Sequence, residues 1–229
     1  MNIKKFLIGT AAGALMLASS VFPALASSPF KSDLSNNNWR VFNINTAVPK
    51  LWDINKAQSL DAGGVGFTFN PLSTGWFTVY LKTNYNVDLT NKTIIANVDV
   101  IADPGTLFWT RSTTCANTGA DAYVRLEFQS ATGNYEASDY WWSTGANSKN
   151  LSTLATSGPD TLSFSTAVPS DWSNINGQTG SGDPVGFAAA LKNVKEIGVA
   201  FGSSCRYASG VNVSGGTASF QLNSFTVNP

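Results

Sequence analysis

Tyr123, Arg125 and Glu127 alternate along the run Ala122–Gln129, whose intervening residues Ala122, Val124, Leu126 and Phe128 are apolar. In an extended strand successive side chains point to opposite faces, so an aromatic, a guanidinium and a carboxyl share one surface. That combination suits neutral polyols: a ring stacks on the C–H face of a sugar, and the charged groups take hydroxyls in fixed geometry. The run Trp76–Lys82 repeats the pattern, with Trp76, Tyr80 and Lys82 on one face and Phe77, Val79 and Leu81 on the other. In Tyr140-Trp141-Trp142 the adjacent tryptophans must face opposite ways, and Trp142 is assigned the outward position. Trp172 lies in a polar stretch, where it serves either as an anchor pinning a loop, the favoured reading, or as a ligand platform at a loop tip. The plainer alternative for the whole set is ordinary cross-strand pairing with surface charges.

Other chemistries are limited by what is missing. The chain has no histidine, which removes Ser-His-Asp and Cys-His nucleophilic systems and zinc sites with imidazole ligands. Two cysteines cannot supply an all-thiolate zinc site. A glycoside hydrolase needs two opposed carboxyls. The glutamates are Glu127, Glu136 and Glu196, so Glu127 with Asp139 or Glu136 is the one conceivable pair, with Glu196 read as solvent-facing. The E-x-D-x-x-E strand signature of jelly-roll glucanases is absent, and a lyase built on Tyr123 and Arg125 has no further support. The expectation is therefore no enzyme and no cofactor. Structural calcium is a weaker option, with carboxylates from loops holding Asp33, Asp53, Asp61 or Asp103, although no D-x-D-x-D-G loop occurs.

The elements that must position these residues are short and β-like. Strands are predicted over Trp39–Ile44, Gly64–Phe69, Trp76–Lys82, Thr93–Ile101, Thr106–Arg111, Ala122–Gln129, Asp139–Ser143, Thr161–Thr166 and Glu196–Phe201. A last strand, Thr217–Val227, changes phase after Leu222, which predicts a bulge near Asn223-Ser224. Asn147–Gly158 and Ser170–Gly182 read as polar loops. Asp183-Pro184 is an N-cap followed by Pro at the first helical position, and Phe187, Ala188, Leu191 and Val194 then fall at helical spacing. One short helix is expected there. The echo of Thr46-Ala47-Val48-Pro49 in Thr166-Ala167-Val168-Pro169 is too brief to argue for duplicated domains.

The chain opens with Lys4-Lys5, an apolar run Phe6–Ala18 and Pro23-Ala24-Leu25-Ala26, the layout of a secretory signal cleaved after Ala26. A flexible lead-in, 27–38, and one domain, 39–229, are expected to follow. Without the two signal lysines, 12 basic residues face 14 acidic ones, a net charge of −2. No basic run remains, which argues against nucleic acid or membrane as partners. In an oxidising compartment Cys115 and Cys205 are expected to form one disulfide, clasping two loops at an edge. Closing a loop of about 90 residues is worth roughly 4–5 kcal/mol in chain-entropy models.

The stretch Phe187–Gly202, a short helix running into a strand, with the closing stretch Ser214–Val227, resembles the end of galactose-binding-domain-like jelly rolls. The resemblance implies an all-β jelly-roll sandwich of two antiparallel sheets, a fold used by many bacterial carbohydrate-binding modules and by adhesins. The sequence reading is thus a secreted, non-catalytic module binding extracellular glycan through Trp76, Tyr80, Tyr123, Arg125, Glu127 and Trp142. The alternatives are a structural or adhesive surface protein and, less favoured, a polysaccharide-degrading enzyme.

Overall fold

The computed structural model describes residues 30–45, 51–61, 63–111, 122–130, 136–145, 148–203 and 209–229. The expected signal segment 1–26, the Thr46–Pro49 echo and the Cys115–Cys205 bridge lie outside the described residues. Strands in chain order are β1 (Phe30–Lys31), β2 (Trp39–Asn45), β3 (Leu51–Lys56), β4 (Gln58–Leu60), β5 (Gly64–Thr68), β6 (Trp76–Asn84), β7 (Thr93–Ala102) and β8 (Leu107–Thr110). They continue as β9 (Ala122–Gln129), β10 (Tyr140–Ser143), β11 (Lys149–Asn150), β12 (Asp160–Ser165), β13 (Trp172–Asn174), β14 (Glu196–Ser203), β15 (Val211–Ser214) and β16 (Ala218–Asn228). Two helices accompany them, α1 (Leu151–Ser157) and α2 (Pro184–Lys192).

The strands form two antiparallel sheets. The six-stranded sheet runs β12-β7-β16-β5-β4, with β1 also on β16. The ten-stranded sheet runs β13-β10-β9-β14-β6-β15-β8, with β2 on β6, β3 on β2 and β11 on β9. The chain changes sheet at most long connections: β5, β7, β12 and β16 lie in the smaller sheet, and β6, β9, β10 and β14 in the larger. This alternation is the winding of a jelly-roll sandwich.

Period-two alternation explains the core. Ile94, Ala96, Val98 and Val100 of β7 and Val124, Leu126 and Phe128 of β9 meet between the sheets. In β16 the pairing with β7 shifts between Leu222 and Ser224. That bulge lets Phe220 and Leu222, and then Phe225 and Val227, all reach the core. Trp172 is buried here, its ring 5.1 Å from that of Phe128 and its Nε1 donating to Ser165 O at 3.1 Å. It anchors its segment to the sandwich.

Among the described residues two α-helices replace the single one expected. The predicted α2 is present: Asp183 Oδ1 accepts from Gly186 N at 3.0 Å, and Phe187, Ala190 and Leu191 are buried. The stretch read as the loop Asn147–Gly158 contains α1, capped by Asn150 Oδ1 accepting from Thr153 N at 3.0 Å. Seven residues with two buried leucines, Leu151 and Leu154, are too few to show a helical period in a Ser/Thr-rich stretch. Short strands β11 and β13 likewise fall in segments read as loops. Among the described residues no helix is long and apolar enough to cross a membrane.

Candidate functional site

The candidate site is the face of the ten-stranded sheet turned away from the core. On β9 the alternation holds as expected: Ala122, Val124, Leu126 and Phe128 enter the core, and Tyr123, Arg125, Glu127 and Gln129 take the other face. On β10, Trp141 packs into the core, while Tyr140 and Trp142 belong to a second apolar cluster with Val79, Tyr80 and Ala200. Register then builds rows across the sheet. Trp142, Glu127, Gly198, Lys82 and Arg40 are successive cross-strand neighbours. A second row is Tyr140, Gln129, Glu196 and Asn84, and a third is Arg125, Ala200, Tyr80 and Phe42.

A bulge in β6 corrects the placement of Trp76. Phe42 pairs with Tyr80 but the next residue, Asn43, pairs with Thr78, so Val79 is the extra residue. Leu81 therefore enters the main core, while Val79 and Tyr80 both join the second cluster. Beyond the bulge the alternation is inverted, and Trp76, in phase with Thr78, lies on the face opposite Tyr80 and Lys82. Trp142 also differs from expectation, being outward in direction but only 1% exposed. The structure thus brings Tyr80, Tyr123, Arg125, Glu127 and Trp142 to one face and leaves Trp76 off it.

A polar network crosses this face. Lys82 Nζ lies 2.6 Å from Glu196 Oε2 and donates to Gln129 Oε1 at 2.8 Å. Gln129 Nε2 donates to the Tyr140 hydroxyl at 3.1 Å. The same ammonium sits over the rings of Phe42 and Tyr80, 4.6 and 4.9 Å from their centroids, a favourable cation–π placement. Arg125 Nη2 donates to Ser203 O at 2.6 Å, and burial lowers the guanidinium to about 10. Tyr140 and Trp142 are stacked, with centroids 6.2 Å apart and planes 17° from parallel.

Glu127 is the exception in this network. It is fully buried, and neither carboxyl oxygen has a hydrogen-bond partner. Burial pushes its pKa up to about 8; Lys82 opposes the shift and Glu196 adds to it. Burial thus favours the protonated carboxylic acid over the carboxylate. Beside it Gly198 leaves the floor open. A Cβ there would run into Leu81 O and would come within 2.8 Å of Lys82 Cβ.

Glu196, read from sequence as solvent-facing, is 16% exposed and shares this face with Glu127. Asp139 instead accepts from Ser130 Oγ at 3.0 Å, and Glu136 is exposed. The residues that sequence reasoning missed are Glu196, Tyr140, Phe42 and Gly198. A signal was present in β14: Glu196, Gly198, Ala200 and Gly202 place small residues at alternate positions, which marks a cleared floor between two polar strands. A polar cleft of about 290 Å³ lies at the Arg40–Asn84 end of the face.

Among the described residues no three His, Cys, Asp or Glu side chains gather as metal ligands. Of the aspartates considered for calcium, Asp103 Oδ2 already accepts from Thr217 N and Oγ1, at 2.8 and 2.7 Å, and Asp33 accepts from Asn38 at 3.1 Å.

No protein-family model matches the chain, and no curated protein matches it in sequence. Among solved structures, the xylan-binding module CBM15 superposes with a TM-score of 0.42 and 13% identity, over 85% of this chain and 95% of that one. A xylanase from Cellvibrio japonicus in complex with xylopentaose gives a TM-score of 0.40 and 14% identity, over 87% of this chain and 28% of the other. A laminarinase from Flavobacterium sp. UMI-01 gives 0.39 and 11%, over 87% and 99%. At such distances the ligand and residue roles of this chain rest on its own geometry.

Proposed function

We propose that this chain is a secreted, non-catalytic module that binds extracellular carbohydrate on the outward face of its ten-stranded sheet. The observation that carries the reading is the gathering of Tyr80, Tyr140 and Trp142 around a buried carboxyl, Glu127, whose two oxygens have no partner. Buried polar groups are almost always satisfied, so such a group marks a place where a ligand's hydroxyls belong. Aromatic planes supply stacking area, and the Lys82–Glu196–Gln129–Tyr140 network holds the polar atoms in place. Binding is favoured over catalysis because a hydrolase needs two carboxyls facing each other across an open cleft, whereas Glu127 is fully buried and Glu196 is held by Lys82. The half-buried Tyr123, Phe42 and Ile175 are the first to meet a ligand, and contact with the fully buried Glu127 requires side chains above it to move aside.

A glycan array probed with the mature protein, with and without Ca²⁺, tests this. The expected result is binding to a restricted set of glycans, lowered about tenfold or more by Tyr123→Ala or Arg125→Ala in folded variants. No binding across neutral and acidic glycans would overturn the reading.

A further inference from the structure

We infer that Glu127 is the specificity-determining contact of this face: it meets the ligand as a neutral acid, donating to one sugar oxygen and accepting from a neighbouring hydroxyl, and so selects uncharged glycans over uronate-bearing ones. The inference rests on the carbohydrate reading and deepens it by naming the ligand class.

The geometry supports this from each neighbouring strand. From β6, Lys82 is the nearer of the two cations in the cross-strand row of Glu127, with Arg40 one strand further on, and it is committed to Glu196 at 2.6 Å and Gln129 at 2.8 Å, above two aromatic rings. Turning it toward Glu127 would break both contacts. From β14, Gly198 adds no side chain and Glu196 adds negative charge. From β10, Trp142 lies directly across from Glu127, with Tyr140 one row away. On β9 itself Arg125 is turned to Ser203 O, and Gln129 is held between Lys82 and Tyr140.

Glu127 therefore has an opposite charge nearby but no hydrogen bond to it, beneath an apolar cluster. A protonated carboxyl offers one donor and spare acceptor capacity, which matches the vicinal hydroxyls of a neutral sugar. A uronate would bring a second negative charge beside Glu196 with Lys82 already neutralised. The raised pKa of Glu127 agrees with the neutral form.

The test is calorimetric binding of neutral hexasaccharides of xylose, glucose and mannose, and of hexagalacturonate, from pH 6 to 9.5. It uses wild type, Glu127→Gln, Glu127→Ala and the rim variant Tyr123→Ala, with far-UV circular dichroism confirming the fold at each pH. A neutral hexasaccharide should bind the wild type at pH 6, with affinity falling about tenfold per pH unit above about 8 as the proton is lost. Glu127→Gln, which keeps a donor and an acceptor, should bind about three- to tenfold more weakly but without pH dependence, and Glu127→Ala should lose more than about tenfold.

Wild-type binding that is flat with pH and unchanged in Glu127→Ala, yet weakened in Tyr123→Ala, would overturn the role of Glu127 and leave the carbohydrate reading standing. Preference for hexagalacturonate would overturn the ligand class. Failure of every sugar to bind the folded wild type would remove both.

Discussion

Replacing Glu127 by glutamine removes one proton-binding site from the interior without changing its shape, and the effect should appear as a change of slope. In the folded chain the carboxyl titrates near 8, against an ordinary value of 4.5. A group whose folded pKa is raised contributes its full stability below the unfolded value and loses it as pH rises through the folded one. Between about 4.5 and 8 the native state holds a proton that the unfolded chain has released, so wild-type stability falls by about 1.4 kcal/mol per pH unit from this group. Across the window the loss is about 5 kcal/mol, comparable with the whole stability of many domains. The group is fully buried, so little of this is screened by solvent.

Other titrating groups are common to both proteins and largely cancel in the difference. Urea unfolding of wild type and Glu127→Gln at pH 5, 6, 7 and 8 should show the variant gaining on the wild type by about 1.4 kcal/mol per unit, levelling above 8. A difference that stays constant from pH 5 to 8 would refute the burial argument, because it would mean that Glu127 ionises in the fold as it does in the open chain.

Gly198→Ala should destabilise by about 1–3 kcal/mol, since its methyl would press on Leu81 O and Lys82 without room to relax; thermal melting would read this. Trp172→Ala should cost about 3–5 kcal/mol by opening a cavity beside Phe128 and Phe164, while Trp172→Phe, losing the bond to Ser165 O, should cost clearly less. Equal losses in the two Trp172 variants would show that the segment is not anchored by packing.

The strands that alternate cleanly were legible to within a residue or two. Ala122–Gln129 is found with the expected bounds, and the phase change in the last strand is the bulge at Asn223. What escaped depends on distant partners. The run Trp76–Lys82 alternates without a break, yet β2 pairs with it two ways on either side of Val79, and only that pairing shows Trp76 on the wrong face. Glu196 looks exposed when read from the local chain alone, because Lys82 is 114 residues away in sequence. Trp142 points outward as periodicity requires, but a second apolar cluster on that face removes it from water. Periodicity gives direction, and exposure depends on what else the fold stacks there.

The extra residue in β6 has an evolutionary corollary. A substitution at one position alters a single side chain, whereas a change of length acts on the whole end of a strand. Loss of Val79 itself would join Thr78 to Tyr80 and leave every pair between β2 and β6 in register, so Thr78 and Trp76 would stay on the face opposite Tyr80 and Lys82. One residue inserted between Phe42 and Asn43 would instead give Val79 a partner, remove the bulge and bring Trp76 and Thr78 into phase with Tyr80 and Lys82, with Phe77 turned inward. A single-codon insertion in β2 is thus a coarse dial on this surface that leaves the identity of every existing residue unchanged. Variation in strand length, as well as in residue type, is a route by which this scaffold could trade one surface for another.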